Sequence, residues 1–366
     1  MTESARAYPE GIAAGSRRSH WKQRFVSRTK SALANALLVV GLSLLCLLSL
    51  EGLTRLFLDD GMLYELEMWK YAREVKARDR HPDLGHRHRP GAETKLMGVD
   101  VRTDSRGFRV AGADKEIDAK AADGVARIAF VGDSITMGWG VADRETFAHQ
   151  VTAQLAAAGR KVDSFNLGVG NLNTLQELTL FRDAGAPLRP DIIVLAYFIN
   201  DAEPMPQYPE SAWLTEHSAA WVVLTYRLDV LLRSFGKAPD WKHYYRALYD
   251  KDAGGWTETR KALARFAATA RDLNAALVVF NVPELRELNP YPFADISAKV
   301  RSQVEGLGVP FVDLLPAVRD LEPASLWVTV PDPHPNGRAA TAFTHQMVPE
   351  LTVLLDRLCR SQGKGC

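Results

Sequence analysis

Apolar and polar positions alternate in blocks along the second two-thirds of this chain. Short apolar runs fall at residues 128–131, 162–167, 192–199, 276–282 and 310–314. Helical stretches lie between them at 147–158, 175–184, 258–273 and 296–307, and a last one at 339–358 follows the fifth run. The runs are apolar throughout rather than at every second position. That suits strands of a parallel sheet covered on both faces. The alternation predicts an α/β domain over residues 125–358, a three-layer, doubly wound, parallel five-stranded sheet.

The same pattern sets the N-terminal region apart. Residues 31–50, "SALANALLVVGLSLLCLLSL", carry no charge. As a helix they would be roughly 30 Å long, the hydrocarbon thickness of a bilayer. The run is apolar on every face, which disfavours a buried core helix. Arg17, Arg18, Lys22, Arg24, Arg28 and Lys30 precede it, and Glu51, Arg55, Asp59 and Asp60 follow. This predicts a single-pass anchor in a bacterial inner membrane, with the N-terminus cytoplasmic and the bulk of the chain periplasmic or extracellular. The basic leader is long, no Ala-x-Ala site follows the run, and small residues do not precede Cys46. Cleavage as a signal peptide or a lipoprotein is therefore not expected. Residues 1–30 read as a disordered basic leader. Residues 51–124 read as an extension with a helix over 64–80 and irregular pieces such as "HPDLGHRHRPG".

The strand–helix rhythm breaks at residues 202–257, an insert with helical segments of its own. It holds Trp213, Trp221, Trp241 and Trp256, half of the eight tryptophans, with Tyr208, Tyr226, Tyr244, Tyr245 and Tyr249. Connections of that length are usually functional covers. This one starts at the carboxyl end of a strand, where open α/β sheets bind ligands. Its rings could stack on sugars or pack a small core, and both readings stand.

Charge and cysteine content change little. The formal net charge of +1 gives no global field for nucleic acid. Cys46 lies in the anchor. Cys359 and Cys366 lie in the tail, residues 359–366, where a disulfide and two free thiols are equally open. His81, His86 and His88 are read as alternation in an exposed extended piece rather than as metal ligands. Phosphate-loop readings fail, because "GDSITMGWG" lacks the Walker lysine and no complete dinucleotide fingerprint is present.

What remains is a serine. "RIAFVGDSIT" ends a buried strand at Gly-Asp-Ser and delivers Ser134 to the sheet rim. A serine nucleophile needs a base, an orienting group and an oxyanion hole. His334 in "VPDPHPNG" follows the last strand, and Asp332, two residues earlier in an extended piece, points to the same side. His345 is a weaker base candidate because it falls inside the last predicted helix. Gly168, ending the second strand in "NLGVG", and Asn200, ending the third in "YFIND", could supply a backbone N–H and a side-chain amide.

The ordered blocks "GDSIT", "NLGVG", "IND" and "DPHPN" resemble the SGNH (GDSL) hydrolase superfamily and cover residues 132–336. The resemblance implies a flavodoxin-like fold, with Ser134 as nucleophile, His334 as base and Asp332 as its partner. It implies the Ser134 N–H, Gly168 and Asn200 as oxyanion donors. Two positions depart from the family pattern. Phe198 replaces the glycine two before the asparagine, and Pro331 takes the place where Asp often stands three before the histidine. The anchor and the extension are more loosely similar to anchored members among bacterial exopolysaccharide genes. The expected function is thus an extracytoplasmic serine esterase or O-acyltransferase acting on acyl, most simply acetyl, esters of a glycan. It would need no metal or organic cofactor, and transfer would need a membrane partner that supplies the acyl donor. The alternatives are a catalytically idle glycan-binding module and a nucleotide-binding oxidoreductase.

Overall fold

The five apolar runs form one parallel sheet. The computed structural model describes residues 15–111, 116–205, 213–233, 240–251, 253–330 and 332–366. They fall into two units, one ending at Leu58 and one running from Asp59 to Cys366. In the first, helix α1 spans Gly15–Phe57. Its Lys30–Phe57 portion is long and apolar enough to cross a membrane, and the side chains of residues 30–50 are exposed. The described part of the basic leader is therefore helical, not disordered as predicted. Extending an existing helix costs far less than nucleating one, so a leader rich in Arg and Lys continues the apolar helix behind it.

The second unit opens with helix α2 (Tyr64–Glu74). Strand β1 (Lys76–Arg78) pairs antiparallel with β2 (His86–His88), and β3 (Glu93–Leu96) with β4 (Val99–Arg102). The helix predicted to Arg80 thus ends six residues early. Val75 is fully buried, and the next three residues take a strand partner instead of another helical turn. Helix propensity is a weak prior against such pairing. His86 and His88 are not exposed, as the alternation suggested, but buried. The His86 ring bonds the Gly170 carbonyl and the His88 ring bonds the Tyr71 hydroxyl at 2.7 Å.

The main sheet comprises β5 (Ala126–Gly132), β6 (Val162–Asn166), β7 (Ile192–Tyr197), β8 (Ala276–Asn281) and β9 (Phe311–Asp313), in the order β6-β5-β7-β8-β9. On β5, Ala129 and Val131 face one apolar layer and Ile128 and Phe130 the other, which is why the run could not alternate with polar residues. The first layer holds Leu178 of α5 (Thr174–Leu180), Phe266 of α9 (Gly254–Asp272) and Val300 of α10 (Ala294–Glu305). The second holds Val151 of α4 (Phe147–Ala157), Val318 of α11 (Leu315–Val318) and Phe343 of α12 (Gly337–Gln362). The neighbouring strands β5 and β7 mark the point where strand order reverses, the usual place for a site in such a sheet.

The described part of the insert carries α6 (Trp213–His217), α7 (Ala219–Leu232) and α8 (Trp241–Leu248). Part of its aromatic set packs a core. Trp256 and Tyr249 are buried in the main core, and Trp241 and Tyr245 pack edge-on against Phe293. Trp213, Trp221, Tyr226 and Tyr244 are exposed, and Tyr208 lies outside the described residues. In the tail, Cys359 and Cys366 form a disulfide.

The extension before the sheet is part of the same unit, and Arg109 shows how it is tied in. This buried guanidinium donates to the carbonyls of Met137 (3.0 Å), Gly138 (2.6 Å) and Val141 (2.8 Å) and to the Asp143 carboxylate (2.7 Å). Arg109→Ala strands those acceptors and an uncompensated buried charge. We expect a loss of about 3–5 kcal/mol in unfolding free energy, measured by urea denaturation of the full chain in detergent.

Candidate active site

Strand β5 ends at Gly132, where an added Cβ would meet the Thr136 hydroxyl oxygen at 2.1 Å. Only glycine lets the chain turn there directly into α3 (Ser134–Met137). Ser134 is the first residue of that helix, so it is both a helix start and a rim side chain. Asp133 is its N-cap, accepting the Ile135 N–H at 2.9 Å.

His334 reaches Ser134 from strand β11 (Asp332–Pro335), which pairs antiparallel with β10 (Trp327–Thr329). Asn336 caps α12 immediately afterwards, accepting the N–H groups of Arg338 and Ala339. The His334 Nδ1–H donates to Asp332 Oδ1 at 2.5 Å. That leaves Nε2 as the bare acceptor, 3.0 Å from the Ser134 hydroxyl. The Asp332 side chain is only 1% exposed and its second oxygen accepts the Trp139 indole N–H at 2.8 Å. Burial alone would push its carboxyl up. The bonds and charge of His334 and the Trp139 bond outweigh it, holding Asp332 below the ordinary carboxylate range. Tyr64 stacks on the imidazole at 6.3 Å and Trp139 tilts against it at 6.1 Å. His345 is exposed on α12, away from this chain of bonds.

Asn200 arrives at the same rim after β7. Its Nδ2 donates to Asp133 Oδ2 at 3.1 Å, which orients the amide, and the Ser134 hydroxyl lies 3.4 Å from that same oxygen. Burial raises the Asp133 carboxyl above its usual range, against the lowering effect of the Ile135 and Asn200 donors. Glu177 and Asp201 are fully buried as well. Burial first, and repulsion among these carboxyls second, pushes both well above the ordinary range. Phe198 packs against both apolar layers and does not narrow the cleft beside Asn200.

Gly168 departs from the expectation. Its N–H donates to the Asn166 side-chain oxygen at 2.8 Å, while the Asn166 amide donates to the Thr136 carbonyl at 2.7 Å. An added Cβ at Gly168 would lie 2.0 Å from the Met137 nitrogen. The Asn166–Gly168 pair is therefore a staple that seats α3 on β6, and the Gly168 N–H is spent within it. Three residues on, Asn171 sits in left-handed backbone (φ 66°) on the same cleft wall as Asn200. Its N–H, like that of Ser134, donates to no group among the described residues. Trp139, Tyr64 and Asp133 were also not assigned from the sequence. Asp133 alone carried a signal there, as the middle residue of Gly-Asp-Ser.

A hydroxyl bonded to an imidazole that is bonded to a buried carboxylate defines a serine hydrolase. The model of the GDSL-like lipase/acylhydrolase family matches residues 130–342, and the chain belongs to that family of ester hydrolases. Solved structures similar to it include TesA, at 17% identity over 62% of this chain and 99% of that one, with a TM-score of 0.42. A mutant of Axe2, an acetyl-xylooligosaccharide esterase from Geobacillus Stearmophilus, is 16% identical over 62% of this chain and 94% of that one (TM-score 0.42). A lipase/acylhydrolase from Enterococcus faecalis is 13% identical over 62% and 96% (TM-score 0.39). No curated protein matches the chain.

Trp139→Phe keeps the ring and removes the donor to Asp332. A hydrogen bond to a charged group is worth about 1.5–3 kcal/mol, so kcat for 4-nitrophenyl acetate should fall about tenfold to a hundredfold. Without that donor the Asp332 carboxyl moves back up, so activity lost through its protonation in acid is lost at higher pH than in the wild type. An unshifted profile would show that Trp139 only packs.

Proposed function

We propose that this protein is a membrane-anchored, extracytoplasmic serine esterase or O-acyltransferase acting on acyl, most simply acetyl, esters of a glycan. The observation that carries the reading is the continuous bond chain Ser134–His334–Asp332. In it Ser134 attacks the ester carbonyl and His334 Nε2 takes the hydroxyl proton. Asp332 holds the imidazole in that tautomer and stabilises the imidazolium. The developing oxyanion is held by the Ser134 N–H and the Asn200 amide. His334 then returns the proton to the leaving sugar oxygen. Water, or the hydroxyl of a second sugar, attacks the acyl-serine.

The anchor reading is supported by the apolar Lys30–Phe57 segment behind a basic leader. An oxidising compartment suits the Cys359–Cys366 disulfide. We divide the chain as a leader and anchor through about residue 58, followed by one hydrolase unit that includes the extension and the insert.

Product analysis tests this reading. The full chain in detergent micelles is incubated with 4-nitrophenyl acetate, with and without oligosaccharide acceptors. Free acetate identifies an esterase, and acetylated sugar identifies a transferase. Ser134→Ala should lower either yield by about a thousandfold or more. Neither product from the wild-type chain, or full yield from Ser134→Ala, overturns the proposal.

A further inference from the structure

A cleft of about 780 Å³ opens beside Asn200. One wall is made by α2, β1 and β2 of the extension, and α6 meets it where the Trp69 indole donates to the Thr215 carbonyl at 2.7 Å. Four cations of the extension line it: Arg73, Lys76, Arg78 and Arg89. Arg73, Lys76 and Arg89 form no ion pair among the described residues. The Arg73 guanidinium lies over the Trp69 ring, 4.4 Å from its centroid. Arg89 Nε donates to the Lys76 carbonyl at 2.7 Å, which leaves the far end of its fork unengaged by any carboxylate.

Lys76 has the least ordinary setting. Its ammonium donates to the Asn171 side-chain oxygen at 2.7 Å and lies 4.7 Å from the Tyr71 ring centroid. No carboxylate compensates its lost hydration, and burial lowers its amine to about 7. Lys76 is partly buried at the cleft wall, where a bound anion would supply the counter-charge it lacks. Two acids share the cleft, Glu203 and Glu216. The Glu203 carboxyl accepts the Tyr244 hydroxyl at 2.8 Å, and burial holds it above its usual range. Guanidinium forks and an ammonium converging beside an aromatic face match a planar carboxylate carried on a sugar ring.

We propose that this cleft binds the carboxylate of an acidic sugar residue adjoining the esterified one, so that the substrate is an anionic glycan. Asn171 joins the two halves of the site, because its side chain holds Lys76 and it lines the same cleft as Asn200. Charge recognition then places the ester at Ser134. The inference rests on the glycan-ester reading above, and a binding measurement separates the two.

The test titrates the full-length Ser134→Ala chain, in detergent micelles at low salt, with oligogalacturonate and with a neutral xylo-oligosaccharide of equal length. Oligogalacturonate should bind about tenfold tighter or better, and added salt should close the gap. Arg73→Gln, Lys76→Met and Arg89→Gln should each reduce that preference about threefold or more. A melting curve for each variant checks its fold, and the two arginine variants suffice where Lys76→Met unfolds. Equal affinity for the two sugars, or a preference that folded variants retain in full, overturns the proposal. Displacement of oligogalacturonate by inorganic phosphate at the same concentration would also overturn it, because the site would then be a generic anion hole. Preferential binding together with no hydrolysis by the wild-type chain would instead sink the esterase reading and leave this one standing.

Discussion

The hydrogen bond from Ser134 to His334 joins side chains 200 positions apart, and most of the architecture can be traced to making that contact short. A parallel sheet delivers every strand's carboxyl end to one rim. Strand β5 brings Ser134 there, β7 brings Asn200, and the β10–β11 hairpin beyond β9 brings His334 with Asp332. Each of these residues lies one to three positions beyond a regular element or within a short one, so little freedom separates the scaffold from the reacting atoms. The bond chain ends in a carboxylate that is almost fully buried and accepts three hydrogen bonds, from the His334 ring, the His334 N–H and the Trp139 indole. A buried charge held by three donors keeps one protonation state, and with it one imidazole tautomer.

The segment between the N-terminal apolar helix and the sheet is as much a part of the site as the sheet itself. Tyr64 stacks on His334, the Tyr71 hydroxyl bonds the His88 ring and accepts the Gly170 N–H, and Arg109 gathers the carbonyls at the end of α3. Because the same segment supplies Arg73, Lys76 and Arg89, it links the rigidity of the nucleophile to the charge of the adjoining cleft. A plain GDSL domain beginning at β5 would have the bond chain but neither the cationic wall nor the Tyr64 face.

What could be read from the chain alone follows a physical line. Ile128, Phe130, Ile193 and Val279 announce strands because both faces of a parallel strand are covered, and few environments besides a covered sheet tolerate so short a run with no polar position. Ser134, His334 and Asp332 were legible because each pairs an uncommon side chain with a strand end. Gly168 was legible as a position but not as a role. Whether a glycine N–H faces a ligand or a neighbouring asparagine depends on where Asn166 points, and that depends on α3. Trp139, Arg109 and Tyr64 carried no local mark, since their partners lie tens to hundreds of residues away. The early end of α2 belongs to the same class, because β2 decides it and β2 comes about ten residues later.

The central claim is that Ser134 is a nucleophile activated by its native surroundings, and covalent labelling reads this most directly. The full-length chain in detergent micelles is treated with a fluorophosphonate and mapped by peptide mass spectrometry. The account predicts one adduct, on Ser134, which is lost on denaturation before treatment and strongly reduced in His334→Ala. No label above the denatured control, or equal labelling of the His334→Ala chain, would contradict it.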